Sequence, residues 1–104
     1  MRRVALLGAT GSIGTQAIEI VSAHPGLELC ALMTGRSPLD ELASRLGVSH
    51  VQVGGDPTPL LEACEPDVVL NAIVGFAGIR ATLWSLEHGV TLALANKESL
   101  VAAG

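Results

Sequence analysis

Three stretches of the 104-residue sequence combine residue types and spacings suited to binding chemistry. In Gly8-Ala9-Thr10-Gly11-Ser12-Ile13-Gly14 glycines recur at every third position with hydroxyls between them. Placed between a strand and a helix, small residues at this spacing let the backbone turn tightly and approach a pyrophosphate. The phosphate charge then meets the unpaired N–H groups of the helix N-terminus. Thr10 and Ser12 add hydroxyl donors. Glycines in such a turn also serve close packing alone, and the triplet by itself does not separate the two roles. The second stretch is Thr34-Gly35-Arg36-Ser37. Dinucleotide binders that take NAD place an Asp or Glu at the end of the second strand to accept hydrogen bonds from the ribose 2′-hydroxyl. Here a guanidinium and a hydroxyl stand instead, which suits a 2′-phosphate and argues for NADP. The bland alternatives are a solvated Arg36 and a plain helix-capping Ser37.

The third stretch, Ala95-Asn96-Lys97-Glu98-Ser99, follows a run of small and aliphatic residues. Asn96 is able to hydrogen-bond a cofactor, Lys97 offers three donors to an anionic or hydroxylated substrate, and Glu98 accepts from hydroxyls or an amide. A surface Lys-Glu pair near a helix start is the structural alternative. Asn71, in Asn71-Ala72-Ile73-Val74-Gly75, reads either as a residue facing the same region or as one that bonds local backbone.

Hydrophobic periodicity supplies the elements that must position these groups. Residues 3 to 8 read as a strand, and Ile13, Ala17, Ile20 and Val21 as the buried face of a helix stopped by His24-Pro25-Gly26. Leu27 to Met33 reads as a second strand. Ser37 is expected to cap the next helix, with Pro38 at its first position and Leu39, Leu42, Ala43 and Leu46 buried, and Gly47 ends it. His50 to Val53 is a third strand, and Asp56-Pro57 opens a short helix to about Cys64. Asp67 to Asn71 is a continuous aliphatic strand; Ile79, Leu83 and Leu86 mark a helix ending at Gly89. Val90 to Ala95 is the fifth strand, and Ser99 begins a further helix. Strands alternating with helices predict an α/β fold, a doubly wound parallel sheet ordered 3-2-1-4-5. In such a sheet all three polar stretches leave the carboxyl ends of strands.

Composition narrows the class. Six Lys and Arg against ten Asp and Glu leave a net charge of −4, with no basic footprint for nucleic acid. The longest apolar stretch, Val68 to Ile79, is interrupted by Asn71 and glycines and is too short for a membrane span. Arg2-Arg3 before four apolar residues does not amount to a secretion signal. Cys30 and Cys64, without metal-ligand spacing, imply reduced packed thiols and a cytoplasmic compartment. His24, His50 and His88 are dispersed and read as structural, and Phe76 and Trp84 as packing residues. With 49% hydrophobic and 15% charged residues, the apolar surplus calls for a sheet covered on both faces or for a surface meant for another domain.

Leu7 to Gln16, Asn71 to Gly75 and above all Leu94-Ala95-Asn96-Lys97-Glu98-Ser99-Leu100-Val101 resemble the 1-deoxy-D-xylulose 5-phosphate reductoisomerase family, in order and along the entire chain. The resemblance implies an NADPH-dependent enzyme of non-mevalonate isoprenoid biosynthesis. That enzyme rearranges 1-deoxy-D-xylulose 5-phosphate and reduces the product to 2-C-methyl-D-erythritol 4-phosphate, assisted by a divalent metal, Mg or Mn. It implies cofactor contacts at Thr10, Gly11, Ser12 and Ile13 for the pyrophosphate and at Gly35, Arg36 and Ser37 for the adenosine end. Asn96 and Glu98 fall near the nicotinamide, and Lys97 contacts the sugar-phosphate substrate.

Residues 1–104 then correspond to the NADPH-binding domain. The acidic metal ligands and the lid are expected outside it, as are the C-terminal domain and much of the contact surface of a homodimer. The expectation is a chain that binds cofactor without turnover and carries no catalytic or metal-ligating residue of its own. The interval between the second and fourth strands is shorter than in typical members. Two other readings stay open: the cofactor domain of another NADP-dependent oxidoreductase such as a homoserine dehydrogenase, and a non-catalytic dinucleotide-binding module. The acid-free exit of the second strand and the Glu98-Ser99-Leu100 continuation weigh against the first of these.

Overall fold

The computed structural model describes residues 2–73 and 75–94. Strands and helices alternate as β1 (Arg2–Leu7), α1 (Ser12–Ala23), β2 (Leu27–Thr34), α2 (Asp40–Leu46), β3 (His50–Val53), α3 (Thr58–Cys64), β4 (Val68–Asn71), α4 (Phe76–Glu87) and β5 (Thr91–Leu94). Every pairing is parallel and the order is β3-β2-β1-β4-β5, as the alternating pattern predicts. Strand order reverses at β1, so a crevice opens beyond Leu7 and Asn71, where β1 and β4 lie side by side.

The central strand is aliphatic from Val4 to Leu7, where both its faces are covered. Ala5, Leu7, Met33 and Val69 pack with Leu60 and Leu61 of α3 and with Ala81 and Trp84 of α4. Leu6 and Leu32 pack on the other face with Ile18 of α1 and Ala43 of α2. Burying one such leucine contributes roughly 1.5–3 kcal/mol. Between β1 and β2 the register slips by one residue: Val4 pairs with Leu29 but Ala5 with Ala31. The bulge leaves Cys30 without a β1 partner and aims both Cys30 and Ala31 at the α3 and α4 layer.

Three helices differ from the pattern read off the sequence. The buried face of α1 is Gly14, Ile18 and Val21, while Ile13 and Ile20 are exposed. The cause is Gly14, which lies so close to the Gly8 carbonyl that it fixes the rotation of the helix. Next, α2 starts at Asp40 rather than after Ser37; its first-turn position is held by buried Leu39, whose carbonyl accepts from the Ala43 amide, and no side chain caps it. Finally, α4 ends before Gly89 as expected, but its buried residues are Gly78, Ala81, Trp84 and Ser85. Phe76, Ile79, Leu83 and Leu86 form an exposed stripe at spacings of three and four. Of the two aromatics only Trp84 is a core residue. The apolar surplus is thus divided between a two-sided core and the outer face of α4. No helix among the described residues is long and apolar enough to cross a membrane.

Asn71 is fully buried at the end of β4, where its Nδ2 donates to the Gly78 carbonyl at 2.8 Å and to Thr82 Oγ1 at 3.1 Å. Its Oδ1 accepts from the Ile73 amide at 3.4 Å. The side chain therefore ties the exit of β4 to the first turns of α4, the local-backbone role rather than the ligand-facing one. Asn71→Ala leaves the Gly78 carbonyl without this donor in a dry core and is expected to cost about 1–3 kcal/mol, checked by urea unfolding.

Candidate functional site

The carboxyl ends of the strands are stitched together by backbone. The Ala72 amide donates to the Leu7 carbonyl at 2.9 Å, joining the exits of β1 and β4. The Gly8 and Ala9 amides both donate to the Met33 carbonyl, at 2.7 and 3.0 Å, joining β1 to β2, and the Gly54 amide reaches the Thr34 carbonyl at 2.8 Å. The loops that leave these strands are thereby held against one another.

Within the Gly8–Gly14 turn the three glycines meet different constraints. Gly8 has a left-handed φ of 92°, and a Cβ on it would stand 2.7 Å from the Ala72 carbonyl oxygen. At Gly14 a Cβ would stand 2.0 Å from the Gly8 oxygen, an overlap no side chain survives. Gly11 is different: its φ is −73°, which any residue adopts, and a Cβ there meets nothing nearer than the Gly8 oxygen at 3.7 Å. Packing alone accounts for Gly8 and Gly14 and leaves Gly11 unexplained. A ligand that lies against the backbone does explain it.

The start of α1 faces the same opening. No side chain caps it and its first turn holds no acidic residue. The amides of Ser12, Ile13 and Gly14 have no acceptor among the described residues, and the helix dipole adds partial positive charge there. Thr15 is committed to its own helix start, its amide and its hydroxyl both donating to the Gly11 carbonyl at 2.9 Å. Thr10 and Ser12 are exposed. A cleft of about 440 Å³ runs between α1 and α2 from Thr10 to Arg45, a cation that the sequence reading did not single out.

At the exit of β2 the buried Thr34 hydroxyl donates to the Ser37 carbonyl at 2.5 Å and closes a turn. That turn presents Gly35, Arg36 and Ser37 at the surface. Arg36 has no ion-pair partner among the described residues. Ser37 is not a helix cap, so its hydroxyl is not committed to α2. The first turn of α2 already holds Asp40 and Glu41, which complement its dipole, so a phosphate at this exit depends on Arg36 and Ser37 rather than on the helix end.

Thr10 and Gly11, with Ser12 and Ile13 of the first turn of α1, thus stand beside Gly35, Arg36 and Ser37, at two strand exits that the Met33 carbonyl holds together. Asn96, Lys97 and Glu98 lie outside the described residues. The Ala72 carbonyl, which shapes the turn by excluding any side chain from Gly8, was not legible in the sequence, because a backbone atom of an alanine carries no residue-type signal. No group of three or more His, Cys, Asp or Glu among the described residues is placed to hold a metal ion. His24 accepts from the Gly26 amide, and the ring of His88 stacks on Trp84 at 4.3 Å, both structural roles.

The two kinds of glycine separate in stability. Gly14→Ala is expected to lose at least about 3 kcal/mol or to prevent folding, whereas Gly11→Ala should stay within about 1 kcal/mol of the parent chain, both read by chemical denaturation.

The sequence matches the family described as 1-deoxy-D-xylulose 5-phosphate reductoisomerase over residues 4–58 and 41–104, two stretches that overlap across α2 and β3. It is 49% identical over 108 residues to the 1-deoxy-D-xylulose 5-phosphate reductoisomerase of Leifsonia xyli, covering 100% of this chain and 30% of that protein. Among solved structures, the reductoisomerase from Zymomonas mobilis in complex with NADPH superposes with a TM-score of 0.75 at 31% identity, over 98% of this chain and 34% of that one. A reductoisomerase with fosmidomycin and magnesium superposes with a TM-score of 0.77 at 32% identity, over 100% of this chain and 33% of that one. The chain therefore spans about a third of the length of these relatives. The family match along the chain and the superposition on solved members place this chain in the 1-deoxy-D-xylulose 5-phosphate reductoisomerase family.

Proposed function

We propose that this chain is the NADPH-binding part of a 1-deoxy-D-xylulose 5-phosphate reductoisomerase. The observation that carries the reading is Gly11. Neither its φ nor its surroundings call for glycine, and it stands directly before the open N-terminus of α1. The amides of Ser12 and Ile13 and the hydroxyls of Thr10 and Ser12 would hold the pyrophosphate, and Gly11 would let it come close. Arg36 and Ser37 would hold the 2′-phosphate, with Gly35 keeping the adenosine side of the turn open. A superposable relative is described in complex with NADPH, which agrees with this assignment.

When bound, NADPH supplies the hydride for reduction of an aldehyde. The chain's own work is to fix the two phosphate groups so that the nicotinamide lies over the crevice between β1 and β4. Asn96 and Glu98 would meet it there, and Lys97 would meet the sugar-phosphate substrate. The ligands of a divalent metal and the catalytic groups would belong to other parts of the whole protein. That protein would act in the cytoplasm as a homodimer in non-mevalonate isoprenoid biosynthesis. This chain alone would bind cofactor without turnover.

Calorimetric titration with NADPH and NADH at one ionic strength tests the assignment. NADPH should bind at least about 10-fold more tightly than NADH, and Arg36→Ala should weaken NADPH about 10- to 100-fold while leaving NADH nearly unchanged. Equal affinity for the two cofactors, or none for either by a folded chain, would contradict the reading.

A further inference from the structure

The proposed cofactor site leaves the outer face of α4 without a role. Phe76, Ile79, Leu83 and Leu86 stand exposed there, at successive intervals of three, four and three residues. Apolar residues at that spacing form a narrow seam of the kind by which one helix packs along another. The flank of α4 that carries Arg80 and Trp84 is already taken by α3. Arg80 donates to Thr58 Oγ1 at 3.4 Å and stands 3.6 Å from Asp56, and Trp84 shares a core cluster with Leu60, Leu61 and Cys64. With 3.6 residues per turn, Ile79 and Leu86 lie roughly a third of a turn beyond Arg80, on the side of α4 away from α3. The sheet agrees with this placement: α3 packs on β2 and β3, α4 packs on β4 and β5, and β5 is the edge strand.

Residues 95–104 follow β5 in the sequence and leave the sheet from the strand nearest that seam. Leu94 is paired with Asn71, so they set out from the carboxyl edge beside the crevice, where α4 also begins. The crossover from β4 to β5 is α4 itself, on the α3 face of the sheet. A segment that turns back from β5 in the same right-handed sense runs along α4 on the side away from α3. Its composition fits that course, since polar Asn96-Lys97-Glu98 is followed by Ser99, a residue suited to start a helix, and then by Leu100-Val101-Ala102-Ala103. A helical stretch of six residues spans about 9 Å, enough to reach Phe76, Ile79 and Leu83, which lie within about 10 Å along α4, but not Leu86 at about 15 Å. We infer that residues 99–104 of this chain dock on the seam at Phe76, Ile79 and Leu83, and that the docking holds Asn96, Lys97 and Glu98 at the mouth of the crevice between β1 and β4. The second half of the inference rests on the proposed function. A short loop fastened at both ends keeps little freedom, whereas one fastened only at β5 is ordered at the expense of ligand affinity. Phe76, Ile79 and Leu83 are then positioning residues, which touch no ligand and act through the loop.

The test has two arms, both on the full 104-residue chain. In the free parent chain, nuclear Overhauser contacts should join Leu100 and Val101 to Phe76, Ile79 and Leu83, unchanged on dilution. Their absence would overturn the docking, and contacts that fade on dilution would give the seam to a second copy instead. The other arm titrates NADPH and, separately, adenosine 2′,5′-bisphosphate, which carries the 2′-phosphate but no nicotinamide. Ile79→Gln combined with Leu83→Gln should weaken NADPH about 5- to 10-fold and leave the bisphosphate unchanged, because only the loop is released. Leu86→Gln, beyond the reach of the segment, should change neither. Equal weakening of both ligands, docking contacts with an unchanged NADPH affinity, or a Leu86→Gln effect as large as that of the double variant would each overturn the positioning role. Failure of the parent chain to bind either ligand would contradict the proposed function and, with it, the positioning role; the docking itself is decided by the contacts in the free chain. Since those contacts are read in the parent, a variant that fails to fold does not remove the test.

Discussion

The contact on which the rest of the structure depends is the close approach of α1 to the end of β1, where Gly14 lies under the Gly8 carbonyl. A Cβ at Gly14 would stand 2.0 Å from that oxygen, so the helix is seated at a depth that only glycine permits. The seating sets the rotation of α1, buries Ile18 and Val21, and turns Ile13 and Ile20 outward. It also points the first-turn amides of the helix at the opening beyond β1, where Gly11 leaves a gap that the protein does not fill. One steric constraint thus couples the packing of the core to the shape of the anion site, and the helix dipole gives that site its charge.

Much of this was legible because aliphatic runs, helical periodicity and turn residues agreed with one another. The alternation of strands and helices gave the sheet order, and Gly47, Gly89 and His24-Pro25-Gly26 gave three of the helix ends. The helix faces that periodicity pointed to share a cause for their exposure. Ile13 and Ile20 were read as one apolar face of α1 and Ile79, Leu83 and Leu86 as the marks of α4, yet each is exposed because small residues take the contact positions. Gly14 on α1 and Gly78, Ala81 and Ser85 on α4 let those helices sit close to the sheet. A periodicity argument that counts large apolar residues looks at the wrong face of such helices. Ser37 was misplaced for a different reason. Its sequence context fits a helix cap, but Thr34 claims its carbonyl for a turn and Leu39 enters the core first.

The two edges of the sheet are built differently. At the carboxyl edge, loops are joined through backbone atoms, which leaves the side chains of Thr10, Ser12, Arg36 and Ser37 exposed. Toward the amino edge, side chains do the joining: Arg3 grips the Cys64 carbonyl and approaches Glu28 at 3.8 Å, while the Asp67 carboxylate takes the Arg3 amide. That division leaves one edge open for a ligand and closes the other. The outer face of α4 keeps a stripe of Phe76, Ile79, Leu83 and Leu86 at the surface.

The central claim is that the glycine turn and the exit of β2 together hold one dinucleotide. The most direct measurement follows backbone amide chemical shifts of the 15N-labelled chain during titration with NADPH. The account predicts the largest changes at Gly11, Ser12, Ile13 and Gly14 and at Gly35, Arg36 and Ser37, saturating together with a single Kd. Changes centred instead on the Trp84 and His88 cleft, or the two loops responding with different affinities, would contradict it.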